Sequence, residues 1–212
     1  MGTVRQEPGA FADLLRRLGN ISAKRIRMRP PPGTATEKDV IRIHDQEGRL
    51  YELVEGVLVE KAMGVQASFL AVVIVHLINN YLDEHDLGIA LGADGMVRFG
   101  VGLVRIPDAC FVSWSRIGRR KVPDEVISPW IPELTIEVIS TGNTKQEMTR
   151  KCSEYFDASV RLVWYVYPKM RTVDVYTSPN DVTTMSEKDT LNGGAVLPDF
   201  KLSLQRLFAR PG

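Results

Sequence analysis

Two spacings of apolar residues alternate along this chain. In QASFLAVVIVHLINNYLDEH (residues 66–85), Phe69, Val73, Leu77 and Tyr81 recur every four positions, and so do Leu70, Ile74, Ile78 and Leu82. This double stripe predicts a helix buried on most of its circumference, with a sheet as its companion. Elsewhere the apolar residues form short runs rich in β-branched side chains. RLYELVEGVLVEK (49–61) holds two such runs around Glu55-Gly56, a tight turn with glycine at positive φ. GIALG, GMVRFG and GLVRI (88–106) are separated by glycines and read as a strand meander, with further strands in DACFVSW (108–114) and LTIEVI (134–139). The polar segment STGNTKQEMTRKCSEYF (140–156) reads as loop and helix. VRLVWYVYP (160–168) is strand-like and pairs with RTVDVYTS (171–178) as a hairpin, and the tail ends in a helical turn. The order predicts an α+β fold, a central mixed sheet with helices packed against it.

The first 47 residues read differently. AFADLLRRLGN (10–20) carries Phe11, Leu14, Leu15 and Leu18 on one side and Gly19 as a stop, a short amphipathic helix. RIRMRPPPGTATEKDVIRI (25–43) is basic and proline-rich, and Pro30, Pro31 and Pro32 favour an extended strap. Its arginines Arg25, Arg27 and Arg29 are either phosphate contacts or solvated charges. The expected division is an N-terminal helix and strap, residues 1–47, and a compact domain, residues 48–212. The helix face bearing Phe11, Leu14 and Leu15 would suit a homodimer interface.

With 212 residues, 44% of them hydrophobic, the chain can bury a core without staples. A net charge of +1 excludes a global basic field, so nucleic acid would need a local patch. RIGRRKVP (116–123) offers one in Arg116, Arg119, Arg120 and Lys121. Cys110 and Cys152 stand in apolar contexts and read as buried thiols in a reducing compartment. His44, His76 and His85 lack ligand spacing, which argues against zinc. No signal-peptide pattern opens the sequence, and its most apolar run (67–78) is shorter than the roughly 20 residues a bilayer requires. The expectation is a soluble cytoplasmic protein with no membrane association. Phosphate-binding glycine loops and nucleophile elbows are absent.

The chemistry is carried by PELTIEVIS (132–140). In a strand, Leu134, Ile136 and Val138 share one face while Thr135, Glu137 and Ile139 share the other. Glu137 therefore lies on a half-buried face, where a carboxylate needs a cation. Asp108 follows Pro107 at the head of another strand. Two strand-end carboxylates facing one point would suit magnesium or manganese. Lys151 lies on the flank of the helical stripe Met148, Cys152, Tyr155 and Phe156. Its stem could run along apolar surface and bring the ammonium to the sheet.

IPD (106–108), PELTIEVIS, and NTKQEMTRK…YF…VRLVWYVYP (143–168), in that order, resemble the Uma-two family of endonucleases, in the PD-(D/E)XK, restriction-endonuclease-like superfamily. YELVEGVLVEKAMG (51–64) resembles the family's opening hairpin and GGAVLPDFKLSLQRLF (193–208) its closing segment. The resemblance implies a sheet core flanked by helices, with a divalent-metal site at one edge. It makes Asp108 the PD aspartate and Glu137 the acid of the E-x-K element, with the Val138 carbonyl as a further ligand. Ile139 stands where that element has lysine, and Lys151 matches the family's later, helical lysine. Glu147 stands where aspartate is expected, and Glu52 matches the acid of the opening hairpin. The histidine often found at the start of the long helix is missing from GVQASF (64–69). The implied activity is a Mg²⁺- or Mn²⁺-dependent DNA endonuclease. Its competitor is a catalytically silent module of the same fold that binds nucleic acid or a partner.

Overall fold

The computed structural model describes residues 8–62, 64–118, 121–122 and 124–209. In chain order the elements are α1 (Pro8–Arg17), α2 (Glu37–Glu47), β1 (Tyr51–Val54), β2 (Val57–Glu60), α3 (Val65–His85), β3 (Gly88–Leu91), β4 (Met96–Gly100), β5 (Leu103–Arg105) and β6 (Ala109–Ser113). They continue with α4 (Trp114–Ile117), β7 (Ile127–Ser128), β8 (Leu134–Val138), α5 (Lys145–Asp157), β9 (Leu162–Tyr167), β10 (Thr172–Ser178), β11 (Asp181–Ser186), β12 (Thr190–Gly193), β13 (Leu197–Ser203) and α6 (Leu204–Ala209). The mixed α+β class is as expected from the alternating spacings.

The strands do not form one sheet. A six-stranded sheet has the order β11-β10-β9-β8-β6-β3, a five-stranded sheet the order β2-β1-β5-β4-β7, and β12 pairs with β13 alone. The expected meander over residues 88–106 is thereby corrected. β3 pairs with β6 in the larger sheet, whereas β4 and β5 pair with each other and join β1 in the smaller one. Glycine spacing marks where strands end, but pairing is settled by non-local burial.

β8 and β9 are parallel, with Glu137 opposite Tyr165. A parallel pair needs a long crossover, and α5 is that crossover. It covers one face of the larger sheet, and α3 covers the other. Leu134, Ile136, Val138 and Trp164 pack with Leu70, Ile74 and Ile78 of α3. Cys110, Val163 and Tyr165 pack with Met148, Cys152 and Tyr155 of α5. Every residue of β8 is buried. Glu137 is thus on the α5 face, opposite the most apolar one.

α3 runs through 21 residues, further than the apolar stretch 67–78. By length and composition it could cross a membrane, the one such helix among the described residues. In this fold its Leu70, Ile74, Ile78 and Leu82 stripe is buried against the sheet. The second stripe is less covered than its period suggests, since Phe69 is 38% exposed.

The N-terminal segment departs from the sequence reading in two ways. Residues 37–47, expected as part of an extended strap, form α2. Asp39 accepts the Thr36 N–H at 3.0 Å, and Gly48 closes the helix in the left-handed conformation. Val40 and Ile43, three apart, enter the core beneath β1. The apolar face of α1 is also not free for a second copy. Leu14 and Leu18 pack with Ile21 and Ile26 against Val54, Val57 and Val59 of the hairpin, with Phe11 and Leu15 at the margin. The expected dimer interface through α1 is corrected on that ground.

The strap is seated on the hairpin turn. Gly33 and Ala35 N–H groups donate to the Gly56 carbonyl at 2.8 and 2.9 Å. Gly56 has φ +72°, and a Cβ there would lie 2.6 Å from the carbonyl carbon and oxygen of Gly33. Gly56→Ala should therefore destabilise by about 1–3 kcal/mol through backbone strain. In calorimetry the melting temperature should fall by roughly 3–10 °C. An unchanged midpoint would contradict the seating of strap on turn.

Candidate active site

The site is built where β6 begins. Pro107 has no N–H to offer, and the Asp108 backbone N–H donates to the Ile136 carbonyl at 3.0 Å. Beyond that point the aspartate side chain takes over from the backbone ladder. Its Oδ2 accepts the Val138 N–H at 2.7 Å. Its Oδ1 lies 2.9 Å from the Lys61 Nζ. Lys61, just past β2, also donates to the Ile106 carbonyl at 2.5 Å. Asp108 is thereby fixed between a strand edge and a buried ammonium.

Glu137 projects one strand over, toward α5. Lys151 reaches it from the helix, its Nζ 3.1 Å from Glu137 Oε1 and 2.8 Å from Glu52 Oε1. The Tyr155 hydroxyl donates to the same Glu137 oxygen. Glu52 Oε2 accepts from Arg105 Nη1 at 2.7 Å, and the other guanidinium nitrogens hold Glu154 at 2.6 and 2.8 Å. Glu52, Arg105, Asp108, Glu137 and Lys151 are each at most 5% exposed. Charges so deep persist only when they are paired: Arg105, Glu52, Lys151 and Glu137 are paired in a chain, and Asp108 is paired with Lys61.

These groups shift one another unequally. Burial pushes the Glu137 carboxyl up, and nearby Asp108 pushes the same way, against the pull of Lys151. Burial also works against ionised Glu52, but Lys151 and Arg105 outweigh it and hold that carboxyl below the usual range. Burial alone would lower Lys151, yet Glu137 and Glu52 raise it, so the ammonium stays charged. Tyr155 is raised by burial and by Glu137 and remains a neutral donor. Cys110 is pushed up to about 12 by burial, and Cys152 likewise, so both are inert thiols.

Residues 37–205 match the sequence model of Uma2, described as "Putative restriction endonuclease". The chain belongs to the Uma2 family. A solved structure described as a putative nuclease belonging to DUF820, from Anabaena variabilis ATCC 29413, superposes with a TM-score of 0.67. It shares 22% identity over 76% of this chain and 90% of its own, a likeness that shows a common fold. No curated protein matches.

The Uma2 match begins at α2, inside the segment set apart from the sequence. Of the residues singled out there, the structure brings Asp108, Glu137, Lys151 and Glu52 into one buried cluster. Ile139 is half-buried on Glu137's face and cannot supply the ammonium that Lys151 does. Glu147 is not among them; its carboxylate binds Arg25, at 3.0 Å. That also accounts for one arginine of the strap.

The basic patch fares differently. The Arg116 guanidinium is turned inward, donating to the Ile131 and Ser159 carbonyls at 2.8 and 2.7 Å and pairing with Glu133 at 3.1 Å. These acceptors hold its guanidinium in the free protein. Arg119 and Arg120 lie outside the described residues, and Lys121 is exposed.

Sequence reasoning passed over Lys61, Arg105 and the hydroxyl of Tyr155. Parity held the signal for the first two. Glu52 pairs with Val59 across the Uma2 hairpin, so Glu52, Val57, Val59 and Lys61 share a face. Val57 and Val59 are buried, which places Lys61 on an inward parity. Leu103 opposes Val54, and two residues on, Arg105 falls beside Glu52.

Proposed function

We propose that this Uma2 chain is a metal-dependent DNA endonuclease that hydrolyses phosphodiester bonds. The observation that carries the reading is the buried Lys151 ammonium held between Glu137 and Glu52, one strand from Asp108. The donors at hand fit a hard divalent cation. Asp108, Glu137 and the Val138 carbonyl are all oxygen ligands, as Mg²⁺ or Mn²⁺ prefers. Among the described residues no group of three or more His, Cys, Asp or Glu side chains forms a cage. Magnesium keeps several waters and needs only one or two carboxylates, so the set is sufficient. Burial first and nearby Asp108 second raise the Glu137 carboxyl, and a bound cation would offset both.

When bound, the metal would lower the pKa of a coordinated water and polarise a phosphoryl oxygen. The remaining work falls to this chain's own groups. Lys151 would orient the attacking water and offset the charge gathering on the phosphoryl group. Glu52 and Arg105 position Lys151, since Arg105 fixes the carboxylate that fixes the lysine. Lys61 and the Val138 N–H hold Asp108 in one rotamer.

The test is cleavage of supercoiled plasmid, linear duplex and single-stranded DNA with Mg²⁺, Mn²⁺ or EDTA. Cleavage of at least one form with metal, lost in EDTA and restored by added metal, is the expected result. A folded protein that cuts none of these, nor RNA, in either metal would overturn the reading.

A further inference from the structure

A cavity of about 470 Å³ opens beside the cluster and is not used by the roles above. Its walls include Tyr165, Tyr167, Tyr176, Met148, Met170 and Asp174. All three tyrosines come from two adjacent antiparallel strands. Tyr165 opposes Asp174 and Tyr167 opposes Thr172 across β9 and β10, so with Tyr176 they stand on the α5 face of the sheet. Tyr165 is buried in the core beside Met148, whereas half-buried Tyr167 and Tyr176 bring their rings to the opening. Tyr165 is a fixed wall, its hydroxyl donating to the Met148 carbonyl at 2.8 Å. Tyr176 meets it edge-on, with ring centroids 5.2 Å apart.

The cavity is close to the chemistry. Tyr165 is the cross-strand partner of Glu137. Ile139, another lining residue, is two strand positions beyond Glu137, roughly 7 Å along the strand. Met148 precedes Lys151 by three residues, about one helical turn. That separation matches the distance between a scissile phosphate and the base of an adjoining nucleotide.

We infer that this cavity receives one unpaired nucleobase of a single-stranded nucleic acid, stacked on the half-buried rings of Tyr167 and Tyr176, next to the bond to be cut. The inference rests on the nuclease reading and names its substrate class. Aromatic rings beside flexible methionines suit a planar heterocycle, and stacking of this kind holds single strands without strict sequence readout. The size falls in the range of small-ligand pockets, which run to about 300–1,000 Å³. A phosphate is a poor occupant, because Asp174 contributes a carboxylate to the wall. That carboxylate accepts the Thr184 hydroxyl at 2.6 Å and can accept an exocyclic amino group of cytosine, adenine or guanine, which thymine lacks. Exposed Lys145, at the start of α5, stands at the rim where the sugar-phosphate chain would leave.

The experiment is equilibrium binding of the full chain to oligonucleotides in EDTA, so that no cleavage is involved. Single strands carrying 2-aminopurine at each position in turn report stacking by loss of fluorescence. The expected result is quenching at one position, and Kd for oligo(dC) below that for oligo(dT). Tyr176→Ala should abolish the quenching and raise Kd for single strands about tenfold, while duplex binding stays within about twofold. Tyr176→Phe should keep both the quenching and the affinity, which separates a stacking role from loss of fold. Absence of quenching at every position, or a Tyr176→Ala protein with unchanged quenching and Kd, overturns the inference. Equal affinity for oligo(dC) and oligo(dT) overturns the part given to Asp174. The two readings fail separately. Quenching without cleavage in any metal removes the nuclease reading and leaves the base site, whereas cleavage of duplex without quenching does the reverse.

Discussion

Asp108→Asn is expected to abolish metal-dependent cleavage and to weaken Mg²⁺ binding. A neutral amide removes one of the two charges that would hold a hard cation. The structure adds a second consequence, one that the position at a strand head conceals. Asp108 is 5% exposed and carries two bonds, one from the Val138 N–H and one from Lys61. Asparagine can keep its amide oxygen on the Val138 N–H. Its amide nitrogen would then face the Lys61 ammonium, donor against donor. Lys61 retains the Ile106 carbonyl but loses its counter-charge. The cost of leaving a buried charge short of its partner should be on the order of 1–3 kcal/mol. The fold should survive with a lowered melting temperature, so activity must be compared per folded molecule. Calorimetric titration with Mg²⁺ and single-turnover cleavage are the two measurements. If Asp108→Asn cuts DNA at the parental rate, the metal is held elsewhere.

Lys151→Ala should differ from Asp108→Asn in kind. The cleavage rate should fall by about two to three orders of magnitude, the scale for removing one preorganised transition-state donor. Mg²⁺ affinity should not fall, because a protonated lysine is no ligand. The buried geometry makes the contrast sharper. Without the ammonium, Glu137 and Glu52 remain buried with less compensation, which should cost about 3–5 kcal/mol in metal-free protein. A cation bound at Glu137 would return part of that, so Mg²⁺ should raise the melting temperature more in the variant than in the parent. Lys151→Arg should rescue poorly, since a planar guanidinium cannot replace a compact ammonium between two carboxylates and a tyrosine hydroxyl. Adding Ile139→Lys to Lys151→Ala should recover part of the rate from the strand side, because residue 139 lies on Glu137's face. The new side chain would also crowd the tyrosine-lined cavity, which limits the recovery. Undiminished single-turnover cleavage by Lys151→Ala would sink the assignment and leave Lys151 as a buried structural charge.

Much of this site was visible before any fold was known, because its elements carry their chemistry in local order. Strand parity put Glu137 opposite the apolar face of LTIEVI, and the helical period put Lys151 at the edge of a buried stripe. Both follow from backbone geometry that any strand or helix shares. The α2 helix was missed because three prolines nearby dominated the reading, although Thr36, Asp39, Val40 and Ile43 mark a start and a buried face. The inward contacts of Arg116 were not legible, because clustered charge shows that cations are near one another and not which carbonyls they face.

The sequence by itself determined the class of the fold, the long helix and most of the core strands in order, and which side chains of each strand point the same way. Those are consequences of period and of residue chemistry within a few positions. Tertiary structure alone decided how the strands were shared among three sheets, and which distant cations reached the carboxylates. Lys61 meets the Ile106 carbonyl across 45 positions, and Arg105 meets Glu52 across 53. Nothing local requires either contact. They arise because packing of the hairpin beside β5 and of α5 over β8 removes water from one small volume, and charges left there must find each other.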